Sequence, residues 1–134
     1  MNQPAASPAP TVTPYELVGG DAGLRHIVDR FYDLMDAEPA AAGIRAMHGA
    51  DLAPMREKLF DWLSGWMGGP PRYMQRADRA CIVSAHRAFP IGTAERDQWL
   101  LCMRGALADA GLPGDVQRLI NGYFEILADR LRTH

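Results

Sequence analysis

The sequence predicts one all-α domain, on three observations. Apolar residues recur at three- and four-residue steps along most of the chain, and the strict alternation of a half-buried strand is nearly absent. Glycine and proline clusters, Gly19-Gly20, Gly68-Gly69-Pro70-Pro71 and Gly111 with Pro113, separate the periodic runs. The 134 residues suffice to bury one continuous core without disulfide or metal staples.

The elements follow in order. Residues 1–13, MNQPAASPAPTVT, lack both the basic and the apolar region of a secretory signal; rich in Pro, Ala and Ser, they are expected to form a disordered tail before a folded domain of residues 14–134. Thr13 and Glu16 have capping-box spacing with Pro14 at the first helical position, so a short helix should run until Gly19-Gly20 ends it. Asp21 is the expected cap of a second helix. Its stripe is Leu24, Ile27, Val28, Phe31 and Met35, with Tyr32 on the edge, and Pro39 stops it. After an alanine-rich stretch ending at Met47-His48-Gly49, Asp51 should begin a third helix. Leu52, Met55, Leu59, Leu63 and Trp66 mark its inner face, and Pro54 is tolerated because it falls in the first turn. From Arg72 to Gly92 the pattern weakens to a short helix and an irregular segment carrying His86. Thr93 is the expected cap of a long helix with Glu95 and Asp97 near its positive end, closed by Gly111 and Pro113. Asp115 should cap the last, with Val116, Leu119, Ile120, Tyr123, Phe124, Leu127 and Leu131 as its inner stripe.

Composition narrows the function. The chain is 48% hydrophobic and 22% charged with a formal net charge of −2, ordinary for a soluble protein, and no stretch reaches a membrane span. All cations but Lys58 are arginines, scattered rather than clustered, so nucleic-acid and membrane-surface binding have no footprint. Cys81 and Cys102 form neither a CxxC nor a CxxCH motif; they read as free thiols of a reducing cytoplasm, Cys81 as a small hydrophobe. HExxH, GxSxG, a phosphate-cradling glycine loop and paired ExxH motifs are all missing, so hydrolase, nucleotide and di-iron readings lack an anchor.

His26 and His134 read as structural or solvated. On residue type alone His86 is a hydrogen-bonded core imidazole. A histidine in an apolar segment faced by helices rich in Phe, Trp, Leu and Met is also what a flat apolar cofactor with an open metal position requires, and both readings stand at this point.

The stretches FYDLM, DLAPMREKLFDWLSGWMGGPPRY and AHRAFPIGTAERDQWLLCMRGAL resemble the truncated haemoglobins of bacteria, in particular their second group. That group's hallmarks include the Phe-Tyr pair, the WxGGP break, the histidine before a phenylalanine and the tryptophan of ERDxWL. The likeness runs from about Tyr15 to Leu131 with consistent spacing, and it is the combination that is specific. The resemblance implies a two-over-two helical sandwich around haem b. His86 matches the proximal histidine that ligates iron. Tyr32 matches the distal tyrosine, whose hydroxyl can donate to bound dioxygen, and Trp99 the distal tryptophan, a donor only. His48 falls where this group carries Tyr, His or Phe over the haem.

Met55 stands where many globins place a gating histidine or glutamine, and implies an open apolar entrance. Leu59 presses on the distal face, while Phe31, Trp62, Leu63 and Phe89 are haem-cage or core residues. Tyr73, with Arg76 or Arg79, is the expected partner of the haem propionates. One departure stands out: the basic run that precedes the proximal histidine in relatives reads DRACIVSAH here, with Ala85 in place of the usual arginine.

The implied function is reversible binding of dioxygen, carbon monoxide or nitric oxide, suited to reactive-oxygen or nitric-oxide chemistry or sensing rather than to bulk oxygen transport. Nitric-oxide dioxygenation or weak peroxidase turnover belongs to the family and would need an external electron donor, since the chain carries no flavin motif. The alternative is a haem-free helical module for partner interaction or sensing, its pocket filled by Trp62, Trp66 and Trp99. A monomer and a homodimer are both compatible with the sequence.

Overall fold

In the computed structural model, which describes residues 12–134, Thr13 makes the capping box its spacing predicts. Its hydroxyl accepts from the Glu16 N–H at 3.2 Å, and the Glu16 carboxylate accepts from the Thr13 N–H at 3.4 Å. This opens α1, Pro14–Leu17. Apart from Val12 and Thr13, the expected tail lies outside the described residues.

Helix α2, Gly20–Ala37, is not capped by Asp21 as expected; Gly19, with φ of 102°, turns the chain into it. The Asp21 carboxylate is engaged elsewhere, accepting from both terminal nitrogens of Arg72 at 2.8 Å and from the Tyr15 hydroxyl. The α2 stripe packs as read, with Tyr32 buried beside it. A 3-10 turn, Pro39–Ala41, leads into α3, Ala42–Ala46, and then α4, Ala53–Trp66. Asp51 lies before α4, its carboxylate accepting the Ala53 N–H at 3.0 Å. After α4 the Gly-Gly-Pro-Pro break is held by Ser64, which is fully enclosed and donates to the Pro70 carbonyl at 2.7 Å. Gly69 has no room for a side chain: a Cβ there would come within 2.6 Å of the Tyr15 ring.

A 3-10 turn, Arg72–Gln75, and a short α5, Ile82–His86, occupy the weakly patterned segment. Helix α6, Thr93–Asp109, is preceded by Gly92 as its cap residue in place of Thr93, with Glu95 accepting the Gly92 N–H at 2.8 Å. Helix α7, Gly114–Arg130, starts one residue before the expected Asp115 cap.

Helix α2 lies along both α6 and α4, and α6 also packs on α7, which makes two helix pairs joined through the α2–α6 seam. Leu24, Val28, Leu63, Met103, Leu107 and Ile120 are completely enclosed there; each such side chain contributes about 1.5–3 kcal/mol by leaving water. Two expected faces need correction. Leu63 of α4 and Ile120, Phe124 and Leu127 of α7 are buried as expected, but Trp66 is 38% exposed and Leu119 and Tyr123 are 44% and 40% exposed, because Phe60 and Ser64 of α4 and Ala128 of α7 take inner positions.

Candidate functional site

A helix of five residues does not hold itself together in water, and no other element packs closely on α5. His86 is its last residue, half-buried, with Nδ1 2.6 Å from the Ile82 carbonyl one turn back. A carbonyl oxygen only accepts, so Nδ1 carries a proton, and in the neutral imidazole the lone pair is then on Nε2. That tautomer and anchoring are what a metal-ligating imidazole needs. The loop that follows is tied down from the far end of the chain: the Thr133 hydroxyl donates to the Phe89 carbonyl at 2.7 Å and accepts the Ile91 N–H at 2.8 Å, while the Thr133 N–H donates to the Ile91 carbonyl at 2.8 Å.

Apolar side chains of α4 and of the α5 segment are incompletely packed. Met55, Leu59 and Trp62 form one stripe of α4 and are only partly buried; Ile82 and Val83 of α5 are half-buried, and Phe89 is 40% exposed. Leu63 stands apart from this group, completely enclosed in the core.

Three polar side chains come together on the α2–α6 side. Phe31 spaces two of them, its ring centroid 4.9 Å from that of Tyr32 and 5.2 Å from that of Trp99. The His48 ring lies 6.0 Å from that of Tyr32, with Nδ1 2.7 Å from the Ile44 carbonyl, so its Nε2 is also left free. Gln98, beside Trp99, holds this loop by accepting the Ile44 N–H at 2.9 Å.

Neither the Tyr32 hydroxyl nor the Trp99 indole N–H makes a hydrogen bond among the described residues, although Tyr32 is only 3% exposed. No fully enclosed side-chain polar atom there lacks a partner, so both donors open onto free space rather than being sealed in the core. Burial holds the Tyr32 phenol well above its ordinary pKa, against the weaker opposing pull of the Arg56 guanidinium. It therefore remains a neutral donor throughout the physiological range.

On the loop before α5, Arg76 is committed to carboxylates, Asp61 at 2.7 Å and Asp78 at 2.8 Å. The Tyr73 hydroxyl accepts the Ala80 N–H at 3.1 Å. Arg79 and Arg87 are exposed and form no ion pair among the described residues. Cys81 is exposed rather than packed as a small hydrophobe, with its thiol pKa lowered by hydrogen bonds from Ser84 and Val83; Cys102 is buried, and desolvation pushes it up to about 11.

Sequence reasoning missed the supporting residues. The Ile82 and Ile44 carbonyls that orient the two imidazoles had a local signal, four residues before each histidine. Thr133 had none, since its partners lie more than forty positions away.

The residues present fit a haem: partly buried apolar side chains on α4 and on the short helix α5, an imidazole at the end of α5 with an oriented Nε2, and two donors without protein partners. The family model described as bacterial-like globin matches residues 13–133. The chain belongs to the bacterial-like globin family. Group 2 truncated hemoglobin YjbI of Bacillus subtilis (strain 168) is 30% identical over 115 residues, covering 86% of this chain and 84% of that protein. The group II 2-on-2 hemoglobin from Agrobacterium tumefaciens superposes with a TM-score of 0.85 at 41% identity, covering 94% of this chain and 98% of that one. A cold-adapted truncated hemoglobin from Pseudoalteromonas haloplanktis TAC125 gives 0.86 at 33% identity, covering 91% and 98%. This globin is thus a group II truncated globin, its two helix pairs form the two-over-two sandwich, and its family is one of haem-binding proteins. None of its described helices is long and apolar enough to cross a membrane.

Proposed function

We propose that this globin holds haem b between α5 and the partly buried stripe of α4, and that it binds dioxygen reversibly with high retention. When bound, haem b supplies an iron atom with an axial position open to a diatomic ligand. His86 would hold that iron through Nε2, with the Ile82 carbonyl keeping the proton on Nδ1. Tyr32 and Trp99 would donate to the partial negative charge that dioxygen acquires, with His48 as a third polar group beside Tyr32. Met55, Leu59, Trp62 and Phe89 would exclude water from the cofactor faces, and Leu63 would back them from the core. Tyr73, Arg79 and Arg87 would meet the propionates; the last offers a cation one residue beyond His86, where Ala85 had removed the expected one.

The observation that carries this reading is the pair of unpartnered donors, Tyr32 and Trp99, held next to one another by Phe31. Both are within reach of solvent, so a ligand that accepts from them takes the place of water rather than of a protein group. Two donors slow ligand loss, which favours nitric-oxide or reactive-oxygen chemistry, fed by an external electron donor, over bulk transport. A haem-free module is less well supported: Trp66 stacks on Trp62 at 5.6 Å and also packs on Phe124, and the half-exposed Ile82, Val83 and Phe89 are left uncovered. Titration of the apoprotein with hemin should produce a saturable Soret band at one haem per chain, and the reduced protein should bind carbon monoxide. Failure to develop that band overturns the reading.

A further inference from the structure

We propose that the exposed stripe of α7 from Asp115 to Arg130 is a homodimer contact, in which two copies of this chain pair their α7 helices antiparallel about a two-fold axis near Gly122 and Tyr123. A surface helix normally turns polar residues away from its core. Here Leu119 and Ile126, the latter 69% exposed, turn away from Ile120, Phe124 and Leu127, and Tyr123 flanks them, 40% exposed, on the side of Trp66 and Met67. Spacings of four and three residues put them on one stripe with Gly122, where an added Cβ would meet nothing within 4 Å, so another backbone has room to approach closely.

The charges at the two ends of the stripe make it self-complementary. Asp115 and Arg130 are exposed, and neither forms an ion pair among the described residues, whereas their neighbours Glu125 and Asp129 are paired with Arg104 and with Arg96 and Arg132. Read from Asp115, the face runs negative, apolar, glycine, apolar, positive. An antiparallel copy sets Asp115 opposite the partner's Arg130, Leu119 opposite the partner's Ile126, and Gly122 opposite the partner's Tyr123. The contact is then the same patch on both subunits, as two-fold symmetry requires. A parallel pairing would set like charges together. Asp115 and Arg130 also suit the dipole of their own helix, but the apolar side chains between them have no such local reason to face water.

One helix pair buries less than a standard interface, so the dimer should be weak, with a Kd of roughly micromolar order. Sedimentation equilibrium on the full chain, from about 1 to about 300 μM, should show mass rising from monomer to dimer, in the apoprotein and after hemin addition alike. Ile126→Arg should stay monomeric with an unchanged melting curve. Asp115→Arg and Arg130→Asp should each weaken association roughly three- to tenfold, since each sets like charges together twice in a symmetric pair. The double variant should restore it. A chain that stays monomeric throughout overturns the proposal, as does a dimer indifferent to Ile126→Arg, which would place the contact elsewhere. A double variant no better than either single one overturns the antiparallel register.

Discussion

Helix α4 carries two apolar stripes that meet different fates. Phe60, Leu63 and Ser64, with Met67 just after them, are buried against α2 and the Gly-Gly-Pro-Pro turn, while Met55, Leu59, Trp62 and Trp66 on the adjoining face keep part of their surface in water. Both stripes have helical spacing and similar chemistry, so the difference is not one of propensity. A helix that is apolar on two sides needs two partners. The first is supplied by the chain; the second, in the proposed reading, is a flat cofactor that also covers α5.

The largest test of that contrast is on the open side. His86→Ala should abolish stable haem retention, followed as transfer of hemin to an acceptor apoprotein, with little change in the melting of the apoprotein. If haem is retained as tightly as in the parent, the axial role is wrong. On the packed side, Leu63→Ala should cost about 2–5 kcal/mol in denaturant unfolding of the apoprotein, as a cavity in a closed core does. Leu59→Ala, one turn earlier, should cost under about 1 kcal/mol there and weaken hemin binding instead. Equal losses of stability for the two leucines would erase the distinction between the stripes.

The polar side of the proposed haem site offers a finer test. Tyr32→Phe should speed oxygen dissociation roughly tenfold to a hundredfold, from the loss of about 1.5–3 kcal/mol of hydrogen bonding to a charged acceptor, and Trp99→Phe should do so by a smaller factor. Stopped-flow off-rates unchanged in both variants would remove their assigned role. The smallest effect expected is on the rim. Arg76 holds the Asp78 carboxyl down at about 2 from an ordinary 3.8. A depressed carboxylate stabilises the folded chain above its ordinary pKa, and that contribution fades as pH falls from about 4 to about 2. Arg76→Gln should therefore be slightly less stable than the parent at neutral pH, with the difference closing across that window in an acid titration followed by circular dichroism. Because Asp78 is exposed and Arg76 only half-buried, salt should shrink it further.

Much of this was legible in the chain. The helical period marked α2, α4, α6 and α7, and proline and glycine placed their ends to within two residues. The likeness in FYDLM, WMGGPP, AHRAF and ERDQWL pointed to Tyr32, His86 and Trp99 together. Cap residues were read less well, since Asp21 has the right chemistry for a cap but is drawn to Arg72, fifty-one positions on. The inner faces of α4 and α7 were read as one stripe each, although periodicity counts apolar residues without saying which of two adjacent stripes meets protein.

What the sequence determined by itself was the helical content, the family and which histidine to propose as the axial ligand, because each rests on local spacing or on a motif in one short stretch. The tertiary structure alone decided which apolar residues stay open, which donors go without partners, and how Thr133 reaches back to hold the loop after His86. Those depend on what lies across the core, and contacts between distant segments leave no mark in the spacing of either one.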